Sequence, residues 1–370
     1  MLDSNLVHEI KNRDFFKNVN HYRDFDHIKT NLIIGNKDFP ETFLTIIIPV
    51  YDHPIKFIAR AINSALNQDN PGIDYKILVI DDYAFPDKDN GVENYLRNHP
   101  DDRILYYKNE RNLGVFGNWN RGIELSNSKW VTLLHSDDFY KPNFLINMIN
   151  IIKDNPNIDQ LACKYEMLDY TSGEVNEADA MKPGEGKVVL RKVDYREYMY
   201  DMFTSVKGSI YRRDTLIEIG GFRSQDIALG LDDYSLMMRY AYQFNTYYLD
   251  TVLYIDSWGF NDSLNLKHWY PQLIADYFMW KNIERKRSPL IRWAYKLKDV
   301  KVLVNRAVSY SDGTSYIKKK VPVDFDELYQ ICGLKSGKYN KFITFIGRVF
   351  AKADEKRIKL FHKRIYITLI

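Results

Sequence analysis

Apolar residues in the first half of the chain fall in short continuous runs, each followed by a stretch with helical spacing. The run LTIIIPV at 44–50 precedes PIKFIARAINSALNQ, in which Ile55, Ile58, Ile62, Ala65 and Leu66 share one helical face. YKILVID at 75–81 precedes the helical GVENYLRNH, and RILYYK precedes FGNWNRGIELS, which leads into KWVTLLH with a strand over 129–134. Near-continuous apolar strands separated by helices predict an α/β fold with a mostly parallel sheet covered on both faces.

Ligands in open α/β sheets bind beyond the carboxyl ends of the strands, so those ends are where chemistry is sought. The first strand runs into Pro49, Tyr51 and Asp52, the second into Asp81 and Asp82, and the fourth into His135, Ser136, Asp137 and Asp138. Any single acidic pair is readily explained as a helix cap or a turn. Several such clusters converging at one edge of one sheet point instead to a polar site. Asp137 and Asp138 bring hard oxygen ligands to an exposed loop before a helix beginning near Pro142, a pattern suited to Mg²⁺ or Mn²⁺.

The remaining composition narrows the class. The 370 residues are 45% hydrophobic, enough for one large or two smaller domains, and a formal charge of +3 gives no electrostatic reason to expect nucleic acid. Cys163 and Cys332 stand far apart with no CxxC or Cys/His grouping, which fits a reducing compartment and neither a disulfide framework nor a zinc site. No apolar run approaches the roughly 18 residues that cross a bilayer, and the polar start lacks a signal-peptide core. A cytoplasmic protein is expected.

Four ordered segments, FLTIIIPVYD, ILVIDDYAFPD, NERNLGVFGNWNRGIELSNSKWVTLLHSDDFYKP and GGFRSQDIALGLDDYSLMMRYA, resemble the pattern of family 2 glycosyltransferases of GT-A fold over roughly residues 43–265. The resemblance implies an inverting, metal-dependent hexosyl- or N-acetylhexosaminyl-transferase that draws on a nucleotide-sugar donor, with a UDP-sugar expected. It implies that Tyr51 and Asp82 hold the base, Tyr51 by stacking and Asp82 by accepting from an imide N–H, beside Pro49. It also implies that Ser136, Asp137 and Asp138 form the DxD-like element. Asp138 is then the foremost direct metal ligand and Asp137 lies nearer the ribose or the metal.

Asn112, Gly114 and Asn120 match the family's Asn-x-Gly stretch beside the donor, although a tight turn and a helix cap account for the same residue types. Arg111 and Arg121 read as solvated surface. Asp232 and Asp233 match the acidic pair that carries the family's catalytic base, with Asp233 the first choice and Asp232 the alternative. Acids in a first helical turn are also favourable without catalysis. Two positions depart from the pattern: His135 stands where many members have an acid, and Phe260 stands where many have a metal-proximal histidine. His268, beside Trp269, is a weak substitute. These departures imply weaker metal binding, and they are the best support for a competing reading, a noncatalytic nucleotide-sugar-binding protein of the same fold. A nucleotidyltransferase would need a Gly-rich basic loop after the first strand, which PVYDHPIK lacks.

Three segments are expected: an extension over 1–40, a catalytic domain over 41–265, and a helical region over 266–370. Helical patterns run over 268–287, 289–310 and 338–364. The last sets Phe342, Phe345, Ile346, Val349 and Phe350 on one side among lysines and arginines. That side fits either an anionic membrane surface or a packing face. The family's common use of lipid-linked acceptors tips the balance toward peripheral association at the inner face of a membrane, with a glycan or lipid-linked saccharide as acceptor. The sugar and the linkage are not legible.

Overall fold

The computed structural model describes residues 4–82, 90–170, 177–184, 187–199, 205–223, 231–259, 269–312, 320–333, 341–360 and 364–368. Helix α1 (Ser4–Asn12) precedes strand β1 (Thr30–Ile34). Then come β2 (Thr42–Val50), α2 (Ile55–Leu66), β3 (Tyr75–Asp81), α3 (Val92–Asn98), β4 (Ile104–Asn109), α4 (Gly114–Leu125) and β5 (Ser128–Leu133). The chain continues through β6 (Phe139–Tyr140), α5 (Phe144–Asp154), β7 (Gln160–Asp169), α6 (Glu177–Ala180) and β8 (Lys187–Lys192). Next are β9 (Ser209–Arg212), α7 (Arg213–Ile219), α8 (Leu231–Gln243) and β10 (Thr246–Trp258). The last elements are α9 (Trp269–Arg285), α10 (Pro289–Asp312), α11 (Phe325–Ile331), α12 (Lys341–Leu360) and β11 (Arg364–Thr368).

Among the described residues one sheet of eleven strands runs β1-β4-β3-β2-β5-β9-β7-β10-β8-β11, with β6 paired to β10. Strands β4, β3, β2 and β5 are mutually parallel, and β7 is parallel to β10. The other pairings are antiparallel, which makes the sheet mixed around a parallel centre. From β2 the order proceeds to β3 on one side and to β5 on the other, so the strand order reverses between β2 and β5. The crevice beyond their carboxyl ends is the natural ligand position of such a sheet.

Burial explains why β2 is apolar throughout. Leu44, Ile46, Ile48 and Val50 pack with Ile58, Ala61, Ile62 and Ala65 of α2 on one face, while Ile47 faces the opposite layer with Trp119 and Ile123 of α4. The period-two alternation of a strand thus has an apolar partner on both sides.

The first forty residues are integrated into this body. Strand β1 pairs with β4 at the sheet edge, and Leu6, Ile10, Phe15, Phe16 and Tyr22 are buried in the same core as α8 and α9. The Arg121 guanidinium binds the segment directly, donating to Ile28 O at 3.0 Å, Thr30 Oγ1 at 2.8 Å and Phe25 O at 2.9 Å.

At the other end, α9 is buried around its circumference, with Leu273, Ile274, Ala275, Met279 and Ile283 fully covered. Helix α12 lies on α10. Its buried positions are Gly347, Ala351, Asp354 and Ile358. Asp354 accepts both bonds of an Arg287 amino group, at 2.7 and 2.6 Å. The helical pattern read to 364 ends at Leu360. Residues 364–368 instead extend the sheet antiparallel to β8, in keeping with the β-branched alternation of RIYIT.

Candidate active site

The carboxyl ends of β2, β3 and β5 meet as their sequences require. Asp82 N donates to Val50 O at 2.8 Å and Leu134 N to Ile47 O at 2.9 Å, so the loops after β3 and β5 are tied to β2 on either side. Tyr51 follows β2 and is 44% exposed, and Pro49 is half-buried within the strand. Asp82 is buried, and its Oδ1 accepts from Asn109 Nδ2 at 2.9 Å and Leu113 N at 2.8 Å. Burial pushes its carboxyl up to about 7, against those hydrogen bonds and with a smaller push from Asp81. Asp81 lies deeper and is held by Asn90 and Tyr106.

The loop after β5 carries the second cluster. Asp138 is fully buried; its Oδ1 accepts from Ser257 N at 2.7 Å and its Oδ2 from Tyr254 OH at 2.7 Å. Asp137 is 2% exposed, yet its Oδ2 has no hydrogen-bond partner among the described residues. His53 Nε2 stands 3.8 Å from that oxygen, while His53 Nδ1 is 2.8 Å from Ser136 Oγ. His135 leans its ring on Trp119, with centroids 4.9 Å apart, and its Nδ1 is 3.5 Å from Asp138 Oδ2. Its Nε2 is buried and has no partner among the described residues.

The electrostatics follow from burial. His135 is depressed to about 3, by desolvation first and by Lys207 next, and is therefore a neutral imidazole with a lone pair to offer. Asp137 is pushed above the usual carboxylate range by its burial and then by the Asp138 charge. Lys207 Nζ donates to Asp256 Oδ1 at 2.5 Å and lies 3.7 Å from Asp138 Oδ2. Its burial opposes the charge, but Asp138 and Asp256 outweigh that and hold the ammonium charged. His135, Asp137 and Asp138 each present a ligand atom, all within 4.8 Å of one another. The unpartnered oxygen of Asp137 and the neutral ring of His135 make this group a fit for a divalent cation. The open acceptor belongs to Asp137, where the sequence put the foremost ligand at Asp138.

The second-tier residues separate. Asn112 Oδ1 accepts from Gly114 N at 2.8 Å, and Gly114 takes φ +73° with open space where a Cβ would stand. Its glycine thus serves the left-handed turn that opens α4, beside Asp82. Asn120 is buried and grips the backbone of Phe222 at both N and O. Asp233 stands half-buried at the start of α8, with Oδ1 accepting from Tyr234 N at 2.7 Å. The side chain of Asp232, and Phe260 and His268, lie outside the described residues.

Sequence reasoning did not single out Arg60, Asn109, Lys207, Tyr254 or Ser257. Arg60 on α2 donates to the Asp137 carbonyl and to Ser257 Oγ at 2.7 Å, and pairs with Glu177 at 2.6 Å. Its guanidinium also sits 4.5 Å from the Phe139 ring centroid. This one side chain fixes the backbone of the acidic loop against β10 and α6.

Residues 45–220 match the family model described as glycosyl transferase family 2. The chain is 25% identical over 168 residues to an uncharacterized glycosyltransferase of Methanocaldococcus jannaschii, 45% of this chain and 55% of that protein. It is 34% identical over 92 residues to the succinoglycan biosynthesis protein ExoO of Rhizobium meliloti, 25% of each chain. The match therefore spans about half the length of the archaeal relative and a quarter of ExoO. The crystal structure of S. aureus TarS 1–349 in complex with UDP-GlcNAc superposes with a TM-score of 0.52 at 18% identity, covering 78% of both chains. That likeness is one of fold, the GT-A arrangement of a mixed sheet between helices.

Proposed function

We propose that this chain is an inverting glycosyltransferase that moves a hexosyl or N-acetylhexosaminyl group from a UDP-sugar to a hydroxyl of a glycan or lipid-linked acceptor. The observation that carries the reading is the pairing, across the β2/β5 switch point, of a buried base-type acceptor, Asp82, with the unpartnered carboxylate of Asp137. Burying a carboxylate oxygen without a partner, as at Asp137, costs stability, so folding alone does not explain it.

In this reading Tyr51 stacks on the uracil while ionised Asp82 accepts its imide N–H. The loop that groups His135, Asp137 and Asp138 would hold a divalent cation, Mg²⁺ or Mn²⁺, whose charge would offset that of the leaving diphosphate. Asp233, oriented by the amide N–H of Tyr234, takes the proton of the acceptor hydroxyl as its oxygen attacks the anomeric carbon. The bond to the diphosphate breaks with its electron pair leaving on UDP, so the anomeric centre inverts. Arg60 keeps the acidic loop in place during this exchange.

The similarity to the succinoglycan biosynthesis protein ExoO supports a glycan product. Among the described residues no helix is long and apolar enough to cross a membrane. A peripheral position at the inner face of a membrane is supported by the outer side of α12, where Phe345, Val349 and Phe350 are 61%, 50% and 41% exposed. Arg348, Lys352 and Lys356 are exposed on the same helix. The test of the donor reading is thermal unfolding against a panel of nucleotide sugars with and without Mn²⁺. UDP-sugars are expected to raise the midpoint, since a ligand of the native state stabilises it. A response to no nucleotide, or to a different base only, contradicts the reading.

A further inference from the structure

A carboxylate in a cation site can be open or already occupied by protein donors, and the acidic pair contains one of each. Both oxygens of Asp138 hold short hydrogen bonds, from Ser257 N and Tyr254 OH, each at 2.7 Å. A buried ammonium, Lys207 Nζ, stands 3.7 Å from Oδ2 and is anchored to Asp256 at 2.5 Å. A divalent ion bound directly by Asp138 would face that fixed positive charge across a few ångströms of low-dielectric interior.

Asp137 is the reverse. It is 2% exposed, and its Oδ2 has no hydrogen-bond partner among the described residues. His135 shares this condition, since its Nε2 is buried and has no partner there. Its Nδ1 faces Asp138 Oδ2 at 3.5 Å. A carboxylate behind one ring nitrogen, with the other nitrogen free, is the arrangement by which proteins orient a metal-binding histidine.

We propose that His135 and Asp137 are the direct protein ligands of the cation, and that Asp138 serves behind them as the group that orients His135 while Lys207 neutralises it. This rests on the glycosyltransferase reading above but goes beyond it: the site exchanges one oxygen donor for a nitrogen. Both ions favour oxygen, but Mn²⁺, a first-row transition ion, accepts an imidazole nitrogen into its shell more readily than Mg²⁺, which keeps a near-ideal octahedron of oxygens and dehydrates reluctantly. The chain is therefore selective for Mn²⁺ over Mg²⁺, and that selectivity resides in His135.

The experiment is electron spin-echo envelope modulation on the full chain loaded with Mn²⁺ and UDP, alongside Mn²⁺ and Mg²⁺ titrations of the parent and the His135→Ala, His135→Asp and His53→Ala variants. The parent is expected to show ¹⁴N coupling to Mn²⁺ and at least tenfold tighter binding of Mn²⁺ than of Mg²⁺. His135→Ala removes the coupling and weakens Mn²⁺ by tenfold or more. His135→Asp, which supplies an oxygen in place of the nitrogen, removes the coupling and brings the two metals within a few-fold of each other. Should His135→Ala not fold, coupling kept in His53→Ala and lost in His135→Asp assigns the nitrogen to His135. No ¹⁴N coupling, coupling lost in His53→Ala but kept in His135→Ala, or equal affinity for the two metals in the parent overturns the proposal. UDP binding measured in the same samples reports separately on the donor reading.

Discussion

Asn120 and Phe222 hold each other by both ends of one amide: Nδ2 donates to Phe222 O at 2.6 Å, and Oδ1 accepts from Phe222 N at 2.9 Å. The contact bridges 102 positions of sequence and pins the turn after α7 to helix α4. Gly220 makes the same turn possible, because at φ +89° a Cβ would lie 1.9 Å from Val19 O.

The first prediction concerns this clamp. Asn120→Ala leaves a buried N–H and a buried carbonyl without partners, so a loss of about 2–4 kcal/mol is expected in a urea unfolding experiment. UDP affinity of the folded fraction stays within about twofold, since a merely structural residue costs stability and not contact energy. An unaltered unfolding midpoint, or a selective loss of UDP binding, assigns Asn120 to the donor instead.

Asp82 gives the second. Its folded pKa is raised, to about 7, so its contribution to stability is full below the ordinary carboxylate pKa and is lost as pH rises through about 7. Nucleotide binding has the opposite sign, because the ionised carboxylate is the acceptor of the imide N–H. UDP affinity should therefore strengthen between pH 6 and 8, by up to about tenfold per unit on the acid side of the transition. Asp82→Asn should flatten the profile and weaken binding at pH 8. Calorimetry across this range checks both, and a pH-independent affinity in the parent contradicts the assignment.

The third concerns α12. The packing seam of Gly347, Ala351, Asp354 and Ile358 is buried, while Phe345, Val349 and Phe350 point outward, so charged substitutions there should leave the fold intact. The double variant Phe345→Glu with Val349→Glu should lose most co-sedimentation with anionic vesicles, and added salt should weaken the parent as it screens the basic residues. Equal binding by parent and variant, or none by either, assigns this face to a protein contact.

How much of this was legible in the sequence depended on the range of the interaction. Strands β2, β3, β4 and β5 and helices α2 and α4 carry local signals, an apolar run or a helical stripe, and their boundaries agree with the pattern to within a few residues. Strand β10 carries a weaker signal, because its register to β7 shifts between Leu249 and Tyr254 and interrupts the alternation. The edge strands β1 and β11, and β8 beside β11, are set among charges that mimic extension, helix and loop. In the site, Asp82, Asp137 and Asp138 were visible because each ends an apolar run. Lys207, Tyr254 and Ser257 were not, since the contacts that define them span 69 to 119 residues and no spacing rule connects them. Of the two readings of the last helix, the packing face uses small residues and Asp354, which an apolar count passes over.

The central claim is an inverting transfer with Asp233 as general base, and one paired measurement tests it most directly: donor affinity and transfer rate of Asp233→Asn against the parent, using the UDP-sugar identified by thermal unfolding. The account predicts donor binding within about twofold and a transfer rate lower by about 10² or more, the scale of lost acid–base catalysis. The anomeric proton of the parent's product, read by NMR in the same reaction, should report inversion. An undiminished rate in the variant, or a product of retained configuration, would contradict it.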